Sequence, residues 1–295
     1  MKNNHSCIIC NNNKFKLISN EVRDSKNHKV IQCISCAHIQ LTPLPSEKEY
    51  NKFYQNNSQM RNVGQTDKIE KLKALSIPDT IRRVKLIPKD VKKADVLDIG
   101  AGYGFFVEEL ILQGFNAKGV ELSKIKVDYL NKKLKKQAII NTKFPKRINL
   151  PKQDIVTLFF MLEHVKNPIT FCKKIKPLLS KKGLVIIEVP NANNFLIKLN
   201  KSYRSFFWQR AHISYFTEKT LNHVLKKAGY SKIKIIHSQR YNLDNFSNWM
   251  LKNKPQIENP SFNLDGKSSF LNELYQKASI KFGKSDTLIA LARVN

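Results

Sequence analysis

The chain has 295 residues, 41% of them hydrophobic, which suffices for one large domain with a small one attached. No uncharged apolar run reaches the ~18 residues of a membrane helix. The asparagine-rich start, Met1 to Cys10, has no signal-peptide core, so a cytoplasmic protein is expected. The 52 Lys and Arg against 23 Asp and Glu give a formal charge of +29. Most of the excess is lysine, much of it on solvated helix faces such as Lys132, Lys133, Lys135 and Lys136. Such a field favours acidic small molecules, for example nucleotide sugars or phosphorylated glycans. The scarcity of arginine weakens, without removing, a nucleic-acid reading.

Cys7-x2-Cys10 and Cys33-x2-Cys36 stand 22 residues apart. Each pair suits a knuckle turn, and two pairs make the four-sulfur tetrahedral shell of a structural zinc ribbon, expected over residues 1–45. A segment of this size has too little core to fold unaided, so the metal would supply much of its stability. Two disulfides or iron are the alternatives; disulfides are disfavoured in a reducing compartment. Four sulfurs complete the shell, which leaves His5, His28 and His38 spare. Cys172 occupies an apolar helical position and reads as core.

Residues 46–92 read as a linker. The extended segment Leu41 to Pro45 leads into an aromatic helix at Glu49–Tyr54, and a helical pattern follows (Ile69, Leu72, Leu75, Ile81, Val84) that Pro78 interrupts. Next, an apolar run from Ala94 to Leu97 leads into Asp98-Ile99-Gly100-Ala101-Gly102-Tyr103-Gly104 and a helix from Phe105. A strand, a glycine-rich turn and a helix N-terminus form a ligand cradle: the glycines admit left-handed backbone and close approach, and the first helical N–H groups face the ligand. A dinucleotide fingerprint would put its third glycine where Phe105 stands. After a glycine stop at Gly114, a second strand, Ala117 to Val120, ends in Glu121, an acid placed to hold ribose hydroxyls.

D-x-G-x-G-x-G followed by G-V-E-L-S resembles the class I S-adenosylmethionine-dependent methyltransferases. The resemblance implies a doubly wound, Rossmann-like sheet of seven strands with S-adenosylmethionine as cofactor. It assigns cofactor contacts to Asp98, Gly100, Gly102, Gly104 and Glu121, with Phe160 beside them. The ribbon, the P-x-P segment and the aromatic helix resemble the N-terminal module of methyltransferases that act on sugars and cell-surface glycans, with Ala37 where that group has glycine. The helix of the linker would cover the cofactor cleft.

Strands and helices alternate downstream. Ser123 reads as the N-cap of a lysine-rich helix to Lys135. Ala138 to Ile140 is a short strand, and the Asn141-Thr142 that follows replaces an adenine-contacting acid of many relatives. Asp154–Phe159 and Leu184–Val189 are buried-type strands. Between them Asn167-Pro168 starts a helix running to about Leu179, and Lys182-Gly183 makes a turn. Thr217 caps a helix that ends at Gly229, then a strand runs from Ile233 to His237. The core therefore spans 93–237, and 286–295 supply its last strand. Residues 238–285, with Trp249, carry no motif and read as an insertion, either a lid or a partner surface.

Two constellations lie where the carboxyl edge of the sheet is expected. Met161-Leu162-Glu163-His164-Val165 resembles an L-E-H-V signature. In small-RNA and ubiquinone-pathway O-methyltransferases an E-x-x-E-H version binds a divalent metal, and here Phe160 stands at its first acid. Trp208 to Thr217 resembles the E-H-x-x-Y-F-[ST] segment of nucleotide-sugar C-methyltransferases, with His212 as the base. His212, His164 and Glu163 are thus the catalytic candidates; the alternatives are that Glu163 and His164 line the cleft and cap the next helix, and that His212 only hydrogen-bonds the loop. Phe206, Phe207, Trp208, Tyr215 and Phe216 are read as a stacking wall for a sugar, as core, or as a patch touching a membrane surface. The expected function is methylation of a sugar-like small molecule, with or without a phosphate. The rivals are an RNA methyltransferase gripping phosphates through ribbon and charge, and an inactive adaptor of the same fold.

Overall fold

A computed structural model describes residues 6–46, 49, 69–88, 93–144, 148–255 and 270–294. Apart from Glu49, the expected aromatic helix lies outside these residues.

The apolar runs become the centre of a seven-stranded sheet. Its strands are β4 (Asp95–Ile99), β5 (Asn116–Glu121), β6 (Ile139–Asn141), β7 (Gln153–Phe159), β8 (Leu179–Pro190), β10 (Ser231–Ser238) and β11 (Thr287–Arg293), in the order β10-β11-β8-β7-β4-β5-β6. Val96, Leu97, Ile155, Val156, Leu158, Ile186 and Ile187 are buried on both faces, as continuous apolar strands require. Pairing is parallel from β6 through β8. The sheet is not parallel throughout, however: β11 inserts antiparallel between β8 and β10. The chain runs from β4 outward to β6, then returns to β7 on the other side of β4. The crevice for a ligand therefore opens at the carboxyl end of β4.

The helices are α1 (Ile69–Val84), α2 (Phe105–Leu112), α3 (Lys124–Leu134), α4 (Pro168–Ile175), α5 (Phe195–Leu199), α6 (Lys201–Phe207), α7 (Glu218–Lys227), α8 (Leu243–Lys252) and α9 (Phe270–Lys281). Pro78 does not interrupt α1. Ion pairs along the helix anchor it: Lys73 Nζ lies 2.8 Å from Glu108, and Arg83 Nε donates to Glu188 at 2.8 Å. These contacts offset the missing hydrogen bond. Ser123 holds the N-cap position of α3, but its hydroxyl makes no cap bond; its amide donates instead to Glu121 Oε1 at 2.9 Å. Asn167 and Thr217 cap as expected, accepting from the Thr170 and Thr220 amides. The helix expected to reach Leu179 ends its α-form at Ile175 and tightens to a 3₁₀ turn. Lys182-Gly183 does not separate two elements; β8 carries it as a bulge, with Lys182 at φ +65°.

The cysteine-rich segment forms β1 (Phe15–Ser19), β2 (Lys29–Cys33) and β3 (Ile39–Thr42). A fourth strand, β9 (Ser214–Tyr215), comes from the far side of the sequence. Ile39 pairs with Tyr215 and Gln40 with Ser214. Cys7, Ile9 and Cys33 share one hydrophobic cluster with Phe216, Leu221 and Val224, which seats the segment on α7.

Candidate functional site

The glycines after β4 serve two ends. Gly100, Gly102 and Gly104 have φ of +85°, +58° and +77°, which disfavours side chains at all three. A Cβ on Gly102 would meet nothing within 4 Å, so that residue faces open space. A Cβ on Gly104 would lie 2.5 Å from Ile139 Cδ1 and 2.6 Å from Leu130 Cδ2, so that glycine permits packing. The Gly100 and Ala101 amides both donate to the Val120 carbonyl, at 2.8 and 3.0 Å, folding the loop onto β5. Gly119 is a supporting residue that the sequence reading missed. Its Cβ would come 2.7 Å from that of Ala101, and a glycine inside a strand is the signal of such an approach.

Glu121 ends β5 with its carboxylate turned to the loop: Oε2 accepts from the Gly102 amide at 3.0 Å and Oε1 from the Ser123 amide at 2.9 Å. A cavity of about 650 Å³ lies against this arrangement, lined among others by Gly100, Gly102, Glu121, Phe160, Met161 and His164. Asp98 and Gly104 stand behind it. Asp98 is buried and accepts from Thr157 Oγ1 at 2.7 Å. Burial pushes its pKa up to about 6, against the pull of the Thr157 hydrogen bond. Lys126, Lys143, Lys166 and Lys174 add positive charge to the cavity wall, beside Phe144 and Phe171.

Phe160 sits at φ +51°, a strained conformation for a bulky residue and one that clusters at functional sites. The Arg240 guanidinium covers its ring at 4.5 Å. Arg240 is held by Asp79, and Glu188, fully buried, accepts from both Arg82 and Arg83. Asp79 is held well below the usual carboxylate range by Arg240, Arg83 and Arg82, against its burial. The sequence carried one signal for this latch that went unused: an acid, Glu188, inside an otherwise apolar strand.

Glu163, His164 and His212 come together, their ligand-type atoms all within 4.8 Å of one another. His164 lines the cavity; Glu163 and His212 do not. His164 Nδ1 donates to the Ala211 carbonyl at 2.8 Å, the Phe160 backbone also hydrogen-bonds the ring, and Nε2 lies 3.9 Å from Glu163 Oε1. Burial holds its pKa down to about 4. Glu163 is buried and neither carboxylate oxygen has a hydrogen-bond partner; burial lifts its pKa to about 8. His212 packs edge-on to His164, ring centroids 5.0 Å apart. Its pKa is depressed by burial and by the neighbouring His164 and Arg23.

Arg23, from the cysteine-rich segment, was also missed, and no local pattern marks it. It donates to Gln209 Oε1, which turns the Gln209 amide nitrogen toward His212 Nε2, 2.9 Å away. His212 Nε2 therefore already accepts a hydrogen bond. The aromatic residues of this loop do not form an exposed wall. Trp208, Tyr215 and Phe216 are fully buried at the seam, and Phe206 is capped by Arg23 at 3.9 Å.

The four cysteines also converge. Cys7 and Cys36 Sγ are 3.5 Å apart, as are those of Cys10 and Cys33. All four sulfurs lie within 4.8 Å of one another. The two 3.5 Å pairs lie close to the edge of a sulfur tetrahedron around a zinc ion, roughly 3.7 Å for Zn–S bonds near 2.3 Å.

A methyltransferase-domain family model matches residues 72–235. Over 151 residues the chain is 26% identical to the ubiquinone biosynthesis O-methyltransferase of Rickettsia typhi, a match covering 50% of this chain and 61% of that protein. The chain thus spans about three fifths of the length of that relative. Among solved structures it resembles a SAM-dependent methyltransferase of Archaeoglobus fulgidus (16% identity, TM-score 0.51, covering 75% of this chain and 94% of that one). It also resembles Haemonchus contortus phosphoethanolamine N-methyltransferase 2, solved with S-adenosyl-L-methionine (18% identity, TM-score 0.52, covering 74% and 52%). At these identities the structural likeness is one of fold.

Proposed function

The chain belongs to the methyltransferase-domain family, and from that premise we propose that it methylates a small, anionic acceptor, with S-adenosylmethionine as donor. One observation carries the reading: His164 lines the same cavity as Gly100, Gly102 and Glu121. The residues fit the cofactor. Gly102 leaves room where a Cβ would project, and Glu121 offers a carboxylate to ribose hydroxyls at the sheet edge. When bound, the cofactor supplies an electrophilic methyl group on a sulfonium.

The protein then has to align the acceptor and take its proton. His164 is the candidate base, held by backbone hydrogen bonds to Ala211 and Phe160; an acceptor hydroxyl or amine that displaces the Phe160 contact would give up its proton to the ring. His212, expected as the base, packs against His164 without lining the cavity, accepts from Gln209, and serves to position His164. Four lysines on the cavity wall support an acidic acceptor, such as a nucleotide sugar in cell-surface glycan assembly. The four cysteines would hold zinc as a structural ion. Among the described residues no helix is long and apolar enough to cross a membrane; the expected setting is the cytoplasm.

The two orphaned oxygens of Glu163 favour a second reading, in which Glu163, His164 and His212 would hold a divalent cation. Labelled methyl transfer to a panel of nucleotide sugars, with and without chelator, tests both. Transfer that survives chelation and fails in His164→Ala supports the first reading; transfer abolished by chelation and restored by Mg²⁺ or Mn²⁺ supports the second. No calorimetric binding of S-adenosylmethionine would sink both.

A further inference from the structure

Helix α9 is packed inside out. Its buried residues are polar, Asn272 and Ser279, seven apart and so on one face. Spacings of four, three and four put Phe270, Leu274, Lys277 and Lys281 on the opposite face. Phe270 is 73% exposed there, and Phe282, just past the helix, 64%.

Two contacts show how α8 lies against it. The Leu243 amide donates to Asn272 at 2.8 Å, and the Phe246 and Tyr275 rings pack 5.2 Å apart. Both pairs are offset by 29 residues. Their first turns therefore lie side by side in the same sense, and the short α5 bridges their far ends: the Phe195 amide donates to the Lys284 carbonyl at 3.2 Å, past α9, and Asn200 to Asn253 at 3.0 Å, past α8. The last turn of α8 presents Met250 and Leu251, the latter 81% exposed, followed by Lys252 and Lys254. The corner between α5 and α6 joins the same end. Asn200 donates to the Trp249 carbonyl at 2.9 Å and to Asn253 at 3.0 Å, which sets exposed Leu199 between Lys198 and Lys201 beside the tip of α8.

Residues 195–207, 243–254 and 270–282 together carry seven Lys or Arg against two acids, Asp244 and Glu273. Large apolar side chains interleaved with lysines make a surface that water solvates poorly. An anionic bilayer satisfies both components, the apolar tips entering the acyl boundary and the ammonium groups reaching phosphates. We propose that the ends of α8 and α9 and the α5–α6 corner form a membrane-docking face for bilayers rich in anionic lipid.

Co-sedimentation of the full chain with vesicles of phosphatidylcholine, and of phosphatidylcholine mixed with phosphatidylglycerol, tests this. Binding to the anionic vesicles should be at least about tenfold tighter and fall with added salt. The double substitution Leu251→Asp and Phe282→Asp should weaken it by roughly tenfold or more. Titration with S-adenosylmethionine reports separately whether the variant is folded, and its outcome is independent of lipid binding. Three results would overturn the proposal: equal or absent binding to the two vesicle types; unchanged binding by a folded variant; or a wild-type dimer, made monomeric by the same substitutions, that ignores vesicles.

Discussion

His212 packs edge-on against His164, ring centroids 5.0 Å apart, and of the two only His164 lines the cavity. A base must touch the group it deprotonates, so the two histidines should separate kinetically. His164→Ala should lower kcat by roughly 10²–10⁴ with little change in cofactor affinity. His212→Ala and Gln209→Ala should cost less and act through the orientation of His164. Equal losses at His164 and His212 would contradict this order.

The pH profile follows from the same burial. His164 titrates near about 4 rather than at its ordinary 6.5. Below its pKa the ring is protonated and cannot accept a proton. The acidic limb of kcat attributed to this group should therefore fall near about 4, and a limb near 6.5 would show an exposed base instead.

Glu163 makes a separate statement about stability. Its folded pKa of about 8 lies above the ordinary 4.5, so its contribution is full below 4.5 and is lost as pH rises through about 8. His164 works in the opposite sense between about 4 and 6.5, which leaves the interval from 6.5 to about 8 to be read. There the metal-free protein should lose about 1.4 kcal/mol per pH unit. Glu163→Gln should flatten that slope in denaturant titrations; an unchanged slope would show that the carboxyl is not the source.

The cysteine cluster reaches the chemistry through backbone. β3 pairs with β9, Leu41 donates to the Ile213 carbonyl at 3.0 Å, and the Ile213 amide donates to that of Glu163 at 2.8 Å. Cys33→Ser should lower Tm by roughly 5–10 °C and reduce turnover. Affinity for S-adenosylmethionine should hold, because the glycine loop is held by β4 and β5, through the Val120 carbonyl and Glu121. Metal analysis should give one zinc per chain, lost in the variant.

At the glycine loop, Glu121→Gln should weaken S-adenosylmethionine by roughly tenfold to a hundredfold, since a charged acceptor is lost. Gly104→Ala should instead destabilise the fold by roughly 1–3 kcal/mol, because its Cβ would lie 2.5 Å from Ile139 Cδ1 in a left-handed backbone. Calorimetry and thermal melting distinguish the two.

The cradle was legible because its elements are local. Asp98 to Gly104 and Glu121 declare themselves by spacing along two adjacent strands, the cysteine pairs by their own spacing, and the strands by uninterrupted apolar runs. Backbone angles and side-chain periods act over a few residues, so sequence order suffices to state them. Tertiary structure alone decided the rest. It set β11 antiparallel beside β8, joined Ile39 to Tyr215, brought Arg23 to Gln209 across 186 positions, and put His164 rather than His212 on the cavity. Each of these depends on how separately formed layers pack against one another, and the free energy of that packing comes from contacts between segments that have no spacing in common.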